Sequence, residues 1–507
     1  MNPNIIREKD MFCFETAFST ILSYYEIPYQ ILFSSTWGGS YDEKFSSVGE
    51  NIQIEDWKLL AKLKEAGIVE KKVPKEKIKD LQYICSLLEK NRMAIASLDI
   101  SKYNEICGSS LEGKVSPILI YAYRDGFVAY DLHYTHKEIL ITNEVYQFTC
   151  IDISFYFLKD NKLNVHSRIE KSIKANIPCI PDFGKISLLA KKFSDGEVDL
   201  FRETKMIPEK GNPVYAPLIN KIETLARGRN MFSIYLTYIN SMVPEIDITD
   251  ACEKMSYWAG RWNLVKVILI KAYFKKDYSQ DVMKKIANII SDIAFGEKEL
   301  YEQLVNVVPN VSKNEICKCM ESVSGKKREI IPVTIDLSKL YNNSGIVISG
   351  QNKNADMTGL GAYIEYEEAQ LLAKVSKCND KYNILSIAQN ALDNILCQEQ
   401  EVNIPKGTYN RLNILGCSDY GSFSDYMTIC YEDEEERVLL QFSSWINKQP
   451  LFNDKIYCTG KLQETNVRLH QSAGTLFTQS LDLKDKRIVA IKLPNCPAMH
   501  IFSIYLE

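Results

Sequence analysis

Histidine is scarce in this chain, with five in 507 residues. Zinc and most transition-metal sites draw heavily on imidazole, so this poverty argues against a metal centre. The 14 cysteines lack the regular spacing of a disulfide framework. The closest pair, Cys317 and Cys319, is a C-x-C with no second half. No apolar run reaches the ~20 residues that span a bilayer. The opening residues, Met1 to Arg7, carry no signal-peptide core. A net charge of −4 supplies no field that would attract nucleic acid or an anionic membrane. Free thiols without an export signal predict a cytoplasmic protein, with no membrane or nucleic-acid partner, no metal and no cofactor.

What remains is ordinary globular composition, 46% apolar and 25% charged. At ~150 residues per domain the length suggests about three domains, and the texture changes twice. Residues 1–165 read as α+β. Helical patterns at Ile54–Ala66 and Lys75–Asn91 precede strand-like runs at Met93–Leu98, Ile118–Tyr123 and Phe127–Leu132. Arg124-Asp-Gly126 marks a hairpin between the last two. Residues 166–328 read as all-α, with long patterns at Asn230–Met242, Asp250–Lys275 and Gln280–Ala294. Asp250 and Glu253 form a capping-box pattern there, and Trp258 and Trp262 share one helix face. After Lys326–Arg328, residues 329–507 turn to short strands separated by Gly, Asn and Asp turns, which predicts an all-β jelly-roll sandwich. The acidic run Glu432–Glu436 reads as a solvated turn.

The richest segment is Asp10–Tyr25. Phe12, Ala17, Phe18, Ile21, Leu22 and Tyr25 recur at helical spacing, with Asp10 as the expected N-cap. That places Cys13 in the first helical turn, where free N–H groups and a partial positive charge favour a thiolate and can receive an oxyanion. The competing reading is a core-filling cysteine.

Cys13-Phe-Glu-Thr-Ala17, the Gly38-Gly39 loop, and the paired strands Ile118–Tyr123 and Phe127–Asp131 resemble the butirosin biosynthesis protein H family. In that family a papain-like domain precedes a helical one. Met231–Leu236 and Ala259-Gly-Arg-Trp262 resemble the helical part. The final territory is similar to galactose-binding-like sandwiches at Asp336–Gly345, Leu415–Asp419, Leu493–Asn495 and His500–Phe502. The first resemblance implies acyl transfer, in which a thiol takes an acyl group from a carrier-protein thioester and passes it to an amine. It assigns Cys13 as nucleophile and Asp131 as the residue that orients the base. The family's histidine position falls near Lys114–Pro117, where this chain has none.

His133 is the candidate substitute, and the competing, favoured reading is a surface histidine at a strand end. If the strand Phe127–His133 were continuous, Ala129, Asp131 and His133 would share one face. His136 is a weaker candidate, and His166, His470 and His500 are expected to be structural. A thioester is already activated, whereas an amide needs its leaving amine protonated, so peptidase activity is the reading rejected. The expectation is therefore an acyltransferase or amide-forming enzyme of bacterial specialised metabolism, with an acyl or peptidyl carrier protein and a small amine acceptor as partners. The rival is a catalytically degenerate papain-like scaffold or binding protein whose sandwich is of carbohydrate-binding type, with Tyr341, Tyr420 and Trp445 as candidate stacking aromatics and core packing the expected use of at least two of them.

Overall fold

The computed structural model describes residues 3–8, 10–91, 93–111, 113–159, 180–205, 215–242, 247–307, 332–351, 353–378, 381–447, 449–464 and 473–507. Cys317, Cys319, Lys326–Arg328, His166 and His470 lie outside the described residues. The chain forms two compact units: residues 1–189, 223–259 and 291–313, and residues 190–222, 260–290 and 314–507. The long helices Pro217–Met242, Thr249–Lys275 and Gln280–Val307 are divided between the two.

The first unit is built on a six-stranded antiparallel sheet, in the order Ile68–Lys72, Cys150–Leu158, Ala94–Asp99, Val115–Tyr123, Phe127–Asp131, Glu138–Ile141. Alternation along the strands gives the sheet two apolar faces. On one, Ile95, Leu119, Leu132 and Tyr156 pack with Phe18, Ile21 and Leu22 of the helix Cys13–Tyr24. On the other, Ala96, Ile118, Ala129 and Phe155 pack with Ile84, Leu87 and Leu88 of the helix Leu81–Asn91. The hairpin at Arg124–Gly126 forms, with Asp125 at φ 56°.

Several local expectations shift. The helix read from Ile54 begins at Leu59, because Lys58 adopts φ 53° and breaks the run. Strands at Ile68–Lys72, Glu138–Ile141 and Cys150–Leu158 complete the sheet and were not anticipated. Asp250 lies inside its helix rather than capping it, and pairs with Lys254 at 2.7 Å.

The most consequential unread segment is Arg227-Gly-Arg-Asn230, on the helix Pro217–Met242. Arg229 is fully buried against Glu297, with Nε and Nη2 donating to its carboxylate at 2.8 and 2.9 Å. Trp37 Nε1 donates to the same carboxylate at 3.1 Å, and Arg229 Nη1 donates to the carbonyl of Gly38 at 3.2 Å. Glycine is required at 228, where a Cβ would sit 2.3 Å from the Thr36 carbonyl oxygen. At 39 a Cβ would come 2.7 Å from the Leu225 Cδ2 methyl, and that side chain would have to shift.

In the second unit an eight-stranded sheet and a four-stranded sheet make up the C-terminal β-sandwich. The strands Arg411–Ser418 and Met499–Leu506 pair within the larger sheet, with a register shift at Gly416. His500 is buried, its Nδ1 3.0 Å from Asn394 Oδ1 and its Nε2 3.4 Å from Asp419 Oδ2, consistent with a structural role. The acidic run Glu432–Glu436 is not merely solvated. Its carboxylates pair with Lys484, Lys486, Arg487 and Lys492.

Breaking one half of a buried ion pair typically costs ~3–5 kcal/mol, because the surviving charge has no solvent. Arg229→Met should therefore cost about 3 kcal/mol or more in urea unfolding. The double variant Arg229→Met/Glu297→Leu should recover part of that loss. Equal stability of the single variant and the parent would show that the pair is not what seats the loop.

Candidate functional site

The helix Cys13–Tyr24 opens at Cys13, with Phe12 at the N-cap in extended conformation and no side chain capping it. The expected cap, Asp10, sits before the helix at φ 64° and instead accepts a hydrogen bond from the Asn230 amide. With no side-chain cap, the first-turn N–H groups are not occupied by a capping side chain. The helix start is fixed from outside by Arg227. Its guanidinium stacks 3.2 Å from the centroid of the Phe12 ring and donates to Glu15 at 2.9 Å and to the Asp10 carbonyl at 3.1 Å.

Cys13 Sγ lies 3.3 Å from the Leu132 carbonyl oxygen and 3.7 Å from His133 Nδ1. The fold thus brings together two of the three residues expected from sequence, the thiol and the imidazole. It does so by a different route from the one anticipated. The strand ends at Asp131, and Leu132–Thr135 form a turn. Ala129 faces the sheet's far core while Leu132 belongs to the core around Cys13. A strand continued to residue 133 would have aimed the histidine away from the thiol, and the turn carries it back.

Asp131 makes that turn. Its carboxylate accepts the backbone N–H groups of His133 at 3.0 Å, Tyr134 at 3.1 Å and Thr135 at 2.6 Å, together with the Thr135 hydroxyl at 2.8 Å. Its role here is to order the backbone that presents His133; the contacts to that residue run to the main-chain N–H, not the ring. Burial works to raise the Asp131 pKa, but the N–H donors of His133, Thr135 and Tyr134 outweigh it and hold the carboxyl below its ordinary range.

The thiol behaves differently from expectation. Burial is the largest influence and pushes the Cys13 pKa up, with Glu15 and Asp131 adding to the rise. A backbone hydrogen bond at Cys13 and the Arg227 guanidinium pull the other way without prevailing. His136, the weaker candidate, has φ 51°, and burial followed by the Arg7 charge pushes its pKa down.

The aromatics proposed as sugar platforms are mostly engaged. Trp445 is buried, and Tyr341 donates its hydroxyl to the Phe502 carbonyl at 2.8 Å. Tyr420 lies with the Lys271 ammonium 5.3 Å from its ring. Tyr341 and Tyr382 line a small cavity of about 270 Å³. Among the described residues no cluster of three His, Cys, Asp or Glu could hold a metal ion, and no helix is long and apolar enough to cross a membrane.

Residues 331–507 match the family model of the AziU2-like beta-sandwich domain. No curated protein matches the chain.

A carboxylate whose folded pKa is lowered stabilises the native state above its unfolded value of ~3.9, and that contribution is lost as pH falls through the folded pKa. Asp131→Ala should lower stability by about 1–3 kcal/mol at pH 7 by stripping several hydrogen bonds from one turn. The difference between variant and parent should shrink as the pH drops below ~4. A gap that stays constant down to pH 2 would show that Asp131 contributes by packing alone.

Proposed function

We propose that the first unit is a papain-like domain of the butirosin biosynthesis protein H type, and that the chain is a cysteine-dependent acyltransferase of bacterial specialised metabolism. The observation that carries this reading is the juxtaposition of a helix-opening thiol and an imidazole nitrogen 3.7 Å apart. The AziU2-like match of the sandwich is compatible with such a biosynthetic setting.

In the proposed reaction His133 takes the Cys13 proton as Sγ attacks the thioester carbonyl. The carrier's sulfur departs and receives that proton, leaving the acyl group on Cys13. An amine then attacks the acyl-cysteine, the amide forms, and the proton shed by the amine returns to the Cys13 sulfur through His133. The N–H groups at the start of the helix would receive the negative oxygen in both halves. Burial, which pushes the Cys13 thiol up, supports a role for the neighbouring imidazole as base over exchange assisted by the helix end alone.

The rival reading, a catalytically silent scaffold, is favoured by one observation. Asp131 is committed to the turn, so among the described residues no carboxylate or amide is seen to orient the second ring nitrogen of His133.

Intact-protein mass spectrometry after incubation with acyl-loaded carrier protein separates the two. The acyltransferase reading expects a single adduct that disappears in Cys13→Ser. His133→Ala should slow adduct formation by about 10²-fold or more at pH 7, the usual worth of a general base. The variant's rate should keep climbing with pH beyond the ordinary thiol range near 8.5, because its thiolate must form unaided. An adduct that survives in Cys13→Ser places the nucleophile elsewhere, and no adduct from any thioester leaves the scaffold.

A further inference from the structure

One face of the helix Cys13–Tyr24 borders an open cleft of about 1040 Å³. It lies within the first unit and begins one residue on from the thiol, at Phe14 and Glu15. We propose that this cleft holds a neutral hydrocarbon or aromatic acyl chain of the thioester donor. The assignment rests on the acyl-transfer reading and adds to it the class of donor.

Three features of the cleft lead to that ligand. Its inner surface is apolar: Phe18 and Ile95 are buried there, and Trp57, Leu59 and Phe14 extend the same surface outward. Its charges balance rather than attract. Lys58, Lys72, Lys75 and Arg227 are offset by Glu15, Glu55, Asp56, Glu70 and Asp152, with Arg227 already bound to Glu15 and Glu70 receiving the Tyr156 hydroxyl. A cleft selecting a phosphate or a polyamine would present charge of one sign, and this one presents neither. Finally, aromatic and aliphatic side chains stand out in solvent around its mouth, Phe14 at 50% and Leu60 at 46% exposure. Exposed apolar side chains lining a recess mark a surface that gains by being covered. Each methylene of a bound chain contributes ~0.8 kcal/mol when it leaves water, so a cleft of this kind discriminates by chain length.

Two substitutions test the cleft without touching the thiol or the imidazole. Ser97, half-buried on the strand Ala94–Asp99, lines the cleft, and Ser97→Trp would fill it. Leu60→Glu, at an exposed wall position, would charge the apolar surface with little risk to folding. The first readout needs no chemistry: fluorescence titration of the full chain with the neutral probe N-phenyl-1-naphthylamine. Binding should weaken about tenfold in each variant, the scale of losing two methylenes' worth of contact. The second readout is the ratio of octanoyl to acetyl labelling of Cys13 from N-acetylcysteamine thioesters. That ratio should exceed one in the parent and fall about tenfold in the variants.

Probe binding that is absent, or unaffected by both substitutions, overturns the cleft assignment, while labelling of Cys13 would still uphold acyl transfer. Probe binding that responds to the substitutions with an unchanged octanoyl-to-acetyl ratio overturns the donor assignment and gives the cleft to another ligand. No labelling by either thioester overturns acyl transfer and the donor assignment with it, and the probe then reports on the cleft alone.

Discussion

The buried pair between Arg229 and Glu297 is the constraint on which the first unit's candidate site depends. Burying two charges is costly unless their remaining hydrogen-bonding positions are filled, and here neighbouring groups fill several of them. Trp37 and the Gly38 carbonyl supply part of that satisfaction, so the Thr36–Gly39 loop is drawn onto the helix as a condition of the pair's burial. Neighbours on the same helix extend the hold. Gly228 lets the loop backbone approach, Arg227 clamps the start of the nucleophile helix, and Asn230 binds the Asp10 carboxylate. Four consecutive residues thus fix the loop and the helix start that the candidate thiol occupies.

That anchoring explains why the thiol can sit at a helix end that no side chain caps. A capped N-terminus is locally stable, but the capping oxygen occupies the N–H groups an oxyanion would need. Here the cap is replaced by packing of Phe12 under Arg227, which holds the helix start without filling its N–H donors. The arrangement has an electrostatic cost. The same burial that orders the first turn raises the thiol's pKa, and Glu15, which Arg227 needs as its partner, adds to the rise. Order and ionisation are opposed at this position, and the neighbouring imidazole is what could reconcile them.

Much of the fold was legible because its signals are local and periodic. The helix carrying Cys13, the hairpin at Arg124–Gly126 and the closing strand Met499–Leu506 all follow from residue spacing. The missed strand Ile68–Lys72 shows the limit: three of its five residues are charged, and it earns its place by pairing with Cys150–Leu158. The candidate site was legible in membership and not in geometry. Period-two alternation grouped Asp131 with His133, yet the strand stops at Asp131, whose carboxylate gathers the N–H groups of His133, Tyr134 and Thr135. An aspartate at a strand end is a turn signal in its own right. The Arg227–Asn230 segment carried no readable signal, since its partners lie about 200 residues earlier and about 70 later in the chain, a separation that no window of helical spacing spans.

The second unit shows the same principle on a different scaffold. The stretch that matches the AziU2-like beta-sandwich domain begins at residue 331, and its strands pair among themselves. Two buried carboxylates on it nevertheless take their cations from outside that stretch. Arg261 meets Asp425 at 2.9 Å, and Lys271 meets Asp419 at 2.9 Å, with Asp419 wholly buried. Hydrogen-bonded strand ladders define the sandwich by backbone geometry, and its buried carboxylates are neutralised in part from beyond it. A buried carboxylate left without its cation would have to take up a proton or draw in water, and either would open the packing around His500, whose ring faces Asp419. Two ion pairs thus tie the sandwich stretch to residues 260–290 within one compact unit.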